Sequence, residues 1–126
     1  NKNYICYPDA SGSHRSTNSN ISDHAILANN GFKLVVGKTN PSVIDRINSV
    51  NSLLCNAKGQ RNLLIDPKCV KVREMFIKMS YREGTRIPDK DNILDHCADA
   101  VGYLVYQNFG IKKDVGKGYG HSRRIS

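Results

Sequence analysis

Seven apolar residues recur at helical spacing between residues 92 and 107: Ile93, Leu94, Cys97, Ala100, Val101, Leu104 and Val105. A stripe that broad has to be covered by other elements, which puts this helix inside a packed domain. Two acids and an imidazole are set into it, in Asp95-His96-Cys97-Ala98-Asp99-Ala100-Val101-Gly102-Tyr103. Asp95 and Asp99, four apart, share one face of the helix. Acids on the first turns of a helix are ordinary dipole partners. The same pair also has the spacing to share a divalent metal with a third carboxylate, for which Asp9 is the candidate.

Tyr4-Ile5-Cys6-Tyr7 is a short apolar run that suits a strand buried on both faces, and Pro8 stops it. Asp9 follows at its C-terminal end, where ligands gather in open α/β sheets. Pro8-Asp9-Ala10-Ser11-Gly12 also suits a plain turn. Residues 11–19 read as a polar, mobile loop in which Arg15 either touches a phosphate or is simply solvated. Ser22 or Asp23 caps a short helix over 24–28, and Asn29-Asn30-Gly31 ends it.

A second strand is expected at Phe32-Lys33-Leu34-Val35-Val36. Gly37-Lys38-Thr39 after it is not a P-loop, because five residues separate Gly31 from Gly37 where that motif needs four. Lys38 is either a point charge for a phosphate or a solvated strand-end lysine. Pro41 opens a helix capped by Asn40 or Thr39 and running to about Ala57. Its stripe is Val43, Ile44, Ile47, Val50, Leu53 and Leu54, with Arg46 off it. Asn62-Leu63-Leu64-Ile65 is the third strand, ending in the turn-starting Asp66-Pro67. Val70, Val72, Met75, Phe76 and Met79 mark a helix over 69–81. Lys71, Arg73, Lys78 and Arg82 run beside it, as a track for a nucleic-acid backbone or a solvated face. After Gly110 a basic, flexible tail occupies 111–126.

The order β-α-β-α-β-α-α predicts an α/β domain with an at least partly parallel sheet. The net charge of +8 suits a polyanionic partner such as nucleic acid, or equally a merely basic soluble protein. Cys6, Cys55, Cys69 and Cys97 form no CxxC or CxxxH pair, which argues against structural zinc and for reduced, mostly buried thiols in a cytosolic protein. No apolar run approaches the roughly 18 residues that span a bilayer. Asn1-Lys2-Asn3 leads straight into a strand, with no secretory leader and no initiator Met, as an excised fragment would.

One family shares this order of signals. Tyr7-Pro8-Asp9-Ala10-Ser11-Gly12, then Lys38 and Pro41-Ser42-Val43, then Leu64-Ile65-Asp66-Pro67-Lys68-Cys69, and last Pro88-Asp89-Lys90 before Asp95-His96-Cys97-Ala98-Asp99-Ala100 together resemble the C-terminal nuclease domain of the large terminase subunit of tailed bacteriophages. The resemblance covers roughly residues 4–106. It implies a ribonuclease H-like fold, with a mixed central sheet flanked by helices, over a nuclease-like domain at 1–110. It implies a two-metal endonuclease cutting concatemeric viral DNA during genome packaging. Mg²⁺ or Mn²⁺ would be the cofactor, and double-stranded DNA, the terminase small subunit and the portal the partners, in the cytoplasm of the bacterial host and with no membrane. Asp9 matches the family's second-strand acid. Asp95 and Asp99 match acids of its last helix, with His96 a further metal ligand. The family's first strand, with its own catalytic Asp, should precede Tyr4 and is not in this sequence, so an incomplete site is expected.

The chemistry would be that of paired hard cations on carboxylate oxygens, about 3.5–4 Å apart, activating water and stabilising the leaving oxygen of a phosphodiester. On this expectation Asp9, Asp95 and Asp99 are catalytic, Asp9 bridges the metals, and Lys38 and Arg15 meet DNA. The rival expectations are a non-catalytic DNA-binding or packaging fragment, and an unrelated α/β domain whose helix acids are caps.

Overall fold

The computed structural model describes residues 3–15, 20–89 and 93–111. The chain opens with strand β1 (Ile5–Cys6), a single 3₁₀ turn at Ala10–Ser13 and helix α1 (Asp23–Asn29). Strand β2 (Lys33–Leu34) follows, then helices α2 (Val43–Leu54), α3 (Val70–Lys78) and α4 (Ile93–Phe109).

The N-terminal third is a small β-α-β unit. Ser22 caps α1 by accepting the Ala25 N–H at 3.2 Å, which supplies one of the orphan donors of a first turn. Gly31, at φ 86°, turns the chain out of the helix in a conformation that side chains resist. β2 then lies parallel to β1, with Ile5 opposite Lys33 and Cys6 opposite Leu34. Lys33 N donates to Tyr4 O and Val35 N to Cys6 O, both at 2.9 Å.

Beyond it, among the described residues, come the three longer helices, and α4 packs against both α2 and α3. Val50 from α2, Met75 from α3, and Tyr103 and Val105 from α4 form the buried centre. Ser42 caps α2 by accepting the Asp45 N–H at 3.1 Å, in place of the expected Asn40 or Thr39. The Asn40 amide is engaged elsewhere, accepting from Ala10 N at 2.8 Å and donating to Asp9 at 2.7 Å. The buried face of α4 is rotated from its expected position. Ala100 and Leu104 are exposed, while Gly102, Tyr103 and Val105 are buried.

The expected ribonuclease H-like architecture, a mixed central sheet flanked by helices, is not what these residues form. Among the described residues the sheet has two strands of two residues each, and helices predominate. The third strand fails for a local reason. The Asn62 and Leu63 N–H groups, which a ladder would need, both donate to Leu53 O at the end of α2, at 2.7 and 3.0 Å. Leu64 is left 89% exposed. Nor is β1 buried on both faces, since Tyr4 and Ile5 are exposed. After α3 the chain forms a small hairpin, in which Arg82 N donates to Ile87 O and Asp89 N to Ser80 O, each at 2.9 Å.

All four cysteines are free, as expected, but Cys55 and Cys69 are exposed rather than buried. Among the described residues no helix is long and apolar enough to cross a membrane. Within the basic tail expected at 111–126, residues 112–126 lie outside the described residues, as do residues 16–19 of the expected polar loop.

Two substitutions separate this core from the expected sheet. Met75→Ala should lower unfolding free energy by about 2–5 kcal/mol, the range for emptying a packed helix contact. Leu64→Ala should cost under about 0.5 kcal/mol, as surface changes do. Urea unfolding reads both, and a large loss from Leu64→Ala would mean that the third strand is buried after all.

Candidate functional site

The site is organised around Asp9. The chain leaves β1 through Tyr7 and Pro8, and the Asp9 carboxylate then caps the 3₁₀ turn. Its Oδ1 accepts from Ser11 N at 2.8 Å, Ser11 Oγ at 2.7 Å and Asn40 Nδ2 at 2.7 Å. Its Oδ2 accepts from the Tyr103 hydroxyl on α4 at 3.0 Å. His24 Nε2 donates to the Asp9 carbonyl at 2.7 Å. Turn, α1, the segment before α2, and α4 are thus tied to one residue.

These donors favour the charged carboxylate. The Asn40 amide foremost, then the Ser11 hydroxyl, hold the Asp9 pKa far below its ordinary 3.8. Tyr103 moves the other way. Burial chiefly, then its hydrogen bond to the Asp9 carboxylate, push its phenol up to about 12, although the nearby Arg46 charge opposes the shift.

Arg46 is the link to the helix acids. It was expected off the apolar stripe of α2, yet its side chain is only 9% exposed. Its guanidinium lies over the Tyr103 ring, 4.6 Å from the centroid, and its Nη1 donates to Asp99 Oδ1 at 2.6 Å. The aliphatic stem lies against Gly102, where a Cβ would come within 3.3 Å of the arginine Cβ. The Arg46 Nε is buried with no hydrogen-bond partner.

Asp9 and Asp99 are therefore joined through Tyr103 and Arg46 rather than by direct contact. Asp95, one turn earlier on α4, lines the same cavity as Asp99. This cavity, of about 620 Å³, lies among α2, α3, α4 and the 80–88 hairpin, with Ile47, Met75 and Phe76 on its apolar wall. His96 also lines it and is exposed. Arg15 and Lys38 are exposed on the segments next to Asp9, Lys38 two residues before Asn40 and Arg15 paired through its backbone with Ser22. The expected basic track on α3 is partly neutralised, because Glu74 pairs with Lys71 at 3.0 Å and Lys78 at 2.7 Å.

Sequence reasoning offered Asn40 only as a helix cap, set Arg46 off the apolar stripe and gave Tyr103 no role. For Arg46 a signal existed: position 46 is three residues after Val43 and four before Val50, so it belongs to the helix's inward side. Asn40 and Tyr103 act over long range and carried no local signal.

Carboxylate oxygens are the right donors for Mg²⁺ or Mn²⁺, but the residues as arranged do not make a metal centre. Among the described residues no three His, Cys, Asp or Glu side chains converge. Asp99 is bound to a guanidinium, and the Asp9 carboxylate already accepts four hydrogen bonds. Comparison of the chain with models of known families, with curated proteins and with solved structures gives no match.

The Asp9 network has a pH signature. The unfolded carboxyl takes up its proton near pH 3.8 while the native one resists until lower pH, so stability is present above that value and lost as pH falls through the native pKa. Asp9→Asn should therefore be less stable than the wild type by about 1 kcal/mol at pH 7. The gap should hold down to about pH 5 and narrow below about pH 4. Paired urea melts at pH 7, 5, 4 and 3 measure it. A gap independent of pH would mean that the charge on Asp9 is not what the four donors stabilise.

Proposed function

We propose that this chain is part of a metal-dependent endonuclease domain of the large terminase class, cutting concatemeric viral DNA during genome packaging. The observation that carries this reading is a convergence. The stretches bearing the resemblance are far apart in sequence, yet Asp9, Asn40 before Pro41, and Tyr103 just past the helix motif meet in one hydrogen-bonded group. Asp99 joins them through Arg46. The net charge of +8 suits a double-stranded DNA substrate. Arg15 and Lys38 lie on the segments flanking the acid and are the proposed phosphate contacts. Terminase small subunit and portal would be the protein partners, in the host cytoplasm.

The reading asks for two things beyond the arrangement described: a further oxygen donor, and release of Asp99 from Arg46. Those demands favour one second reading, a DNA-binding packaging fragment without catalysis, in which the same network is purely structural.

Supercoiled plasmid separates the two. The nuclease reading expects Mn²⁺-dependent conversion to nicked circles, lowered at least tenfold by Asp9→Ala and by Asp99→Ala, with DNA binding largely kept. The binding reading expects DNA retention that weakens steeply as salt rises from 50 to 200 mM. In that case there is no nicking in Mn²⁺, and neither substitution has an effect beyond stability.

A further inference from the structure

The cavity among α2, α3, α4 and the 80–88 hairpin, at about 620 Å³, has the size of a small-molecule site. Such sites form between the helices of bundles. Close-packed interiors keep few voids larger than a water molecule, so an opening of this size is more than loose packing. We propose that it is a binding site for a small amphiphile, an apolar body carrying one protonated amine, whose charged end pairs with Asp95. The proposal does not rest on the nuclease reading.

The walls are of two kinds. α3 contributes only apolar side chains, Met75, Phe76 and Met79, so both methionines of the chain lie on one wall. Unbranched thioethers adapt their shape to what they touch, and they recur at surfaces that accept varied apolar partners. Phe76 and Met79, with Ile47 and Leu54 from α2, line the cavity and are only half-buried. Apolar surface therefore remains for a ligand to cover. The α4 wall is acidic, with Asp95 and Asp99 one turn apart. Arg46, the arginine on these walls, is already engaged: its Nη1 donates to Asp99 at 2.6 Å and its guanidinium lies over Tyr103. Those two charges offset each other. Asp95 is half-buried, and among the described residues no ion pair holds it. One unpaired carboxylate beside an apolar hollow is complemented by a cation on an apolar body. An anionic ligand would meet Asp95 as a like charge. The chain's net charge of +8 would draw anions, so a preference for cations is the mark of this local site.

The test is titration of decylammonium, decanol and decanoate, each below its micelle concentration, into protein labelled at the methionine methyl groups and followed by NMR. Urea melts establish that each variant folds. Both methyl signals should shift saturably with decylammonium. Its affinity should exceed that of decanol about fivefold, the effect of one half-exposed ion pair, and decanoate should bind more weakly than decanol. Asp95→Asn should bring decylammonium down to the level of decanol. Ala98 also lines the cavity, so Ala98→Phe should fill it and abolish binding of all three. If Ala98→Phe does not fold, Ala98→Leu takes its place, with weakened binding of all three expected. Methyl signals that stay still with every probe would overturn the proposal. So would equal affinity for decylammonium and decanol, which marks a plain apolar hollow, or a preference for decanoate, which marks attraction by the overall charge. A preference for the amine that survives Asp95→Asn would overturn the pairing. Methyl signals that move with protein concentration alone would put a second copy of this chain in the cavity instead.

Discussion

A buried guanidinium decides how this chain packs. Arg46 is drawn in between α2 and α4, with its stem on Gly102, its charge over Tyr103 and one nitrogen on Asp99. Burying a charge costs several kcal/mol unless it is paired and solvated by other groups. The partners that offset this cost fix the rotation of α4. Gly102 must face α2, because a Cβ there would crowd the arginine stem. Tyr103 must lie beneath the guanidinium, and Val105 then turns into the centre with Val50 and Met75. The departure of α4 from its expected face has this cause: Ala100 and Leu104 give up their inward position to residues that accommodate an arginine.

Tyr103 carries the constraint from the helices to the β-α-β unit. Its hydroxyl reaches Asp9, and Asp9 reaches Asn40 and the 3₁₀ turn. A parallel pair of two-residue strands has little stability of its own, since such sheets normally persist only when both faces are covered. Here the unit is held by polar ties to Asn40 and α4 as much as by its ladder. Asp9 is thus a structural centre whatever else it does. Its four hydrogen bonds fix the carboxylate in one orientation.

Much of the helical half was legible in the sequence, because helical periodicity is a local signal. The 3.6-residue recurrence of Val43, Ile47, Val50 and Leu54 marks α2, and Val72, Met75, Phe76 and Met79 mark α3, within a few residues of their observed ends. The strands were less legible. Asn62-Leu63-Leu64-Ile65 has the composition of a strand, but composition cannot say whether a neighbour will pair with it, and its N–H groups bond Leu53 instead. Of the site, Asp9, Asp95 and Asp99 could be picked out by type and position. The way Asp9 and Asp99 are joined could not. It runs through Tyr103, for which no role was expected, and through Arg46, which was expected off the apolar stripe. Arg46 stands three residues after Val43 and four before Val50, so its spacing alone places it on the inward side.

The electrostatics of the site bear on which role prevails. The chain is strongly basic as a whole, at +8, yet Asp95 and Asp99 stand on α4 and Asp9 is bonded to it through Tyr103, with Arg46 paired to Asp99. A polyanion approaching this surface would be repelled there and attracted on the flanks, where Arg15 and Lys38 are exposed. A local excess of acid inside a basic surface works against every phosphate that nears it. The pairing of Asp99 with Arg46 limits that repulsion, and the Tyr103 ring and the Asp99 charge together offset the cost of burying a single-armed arginine.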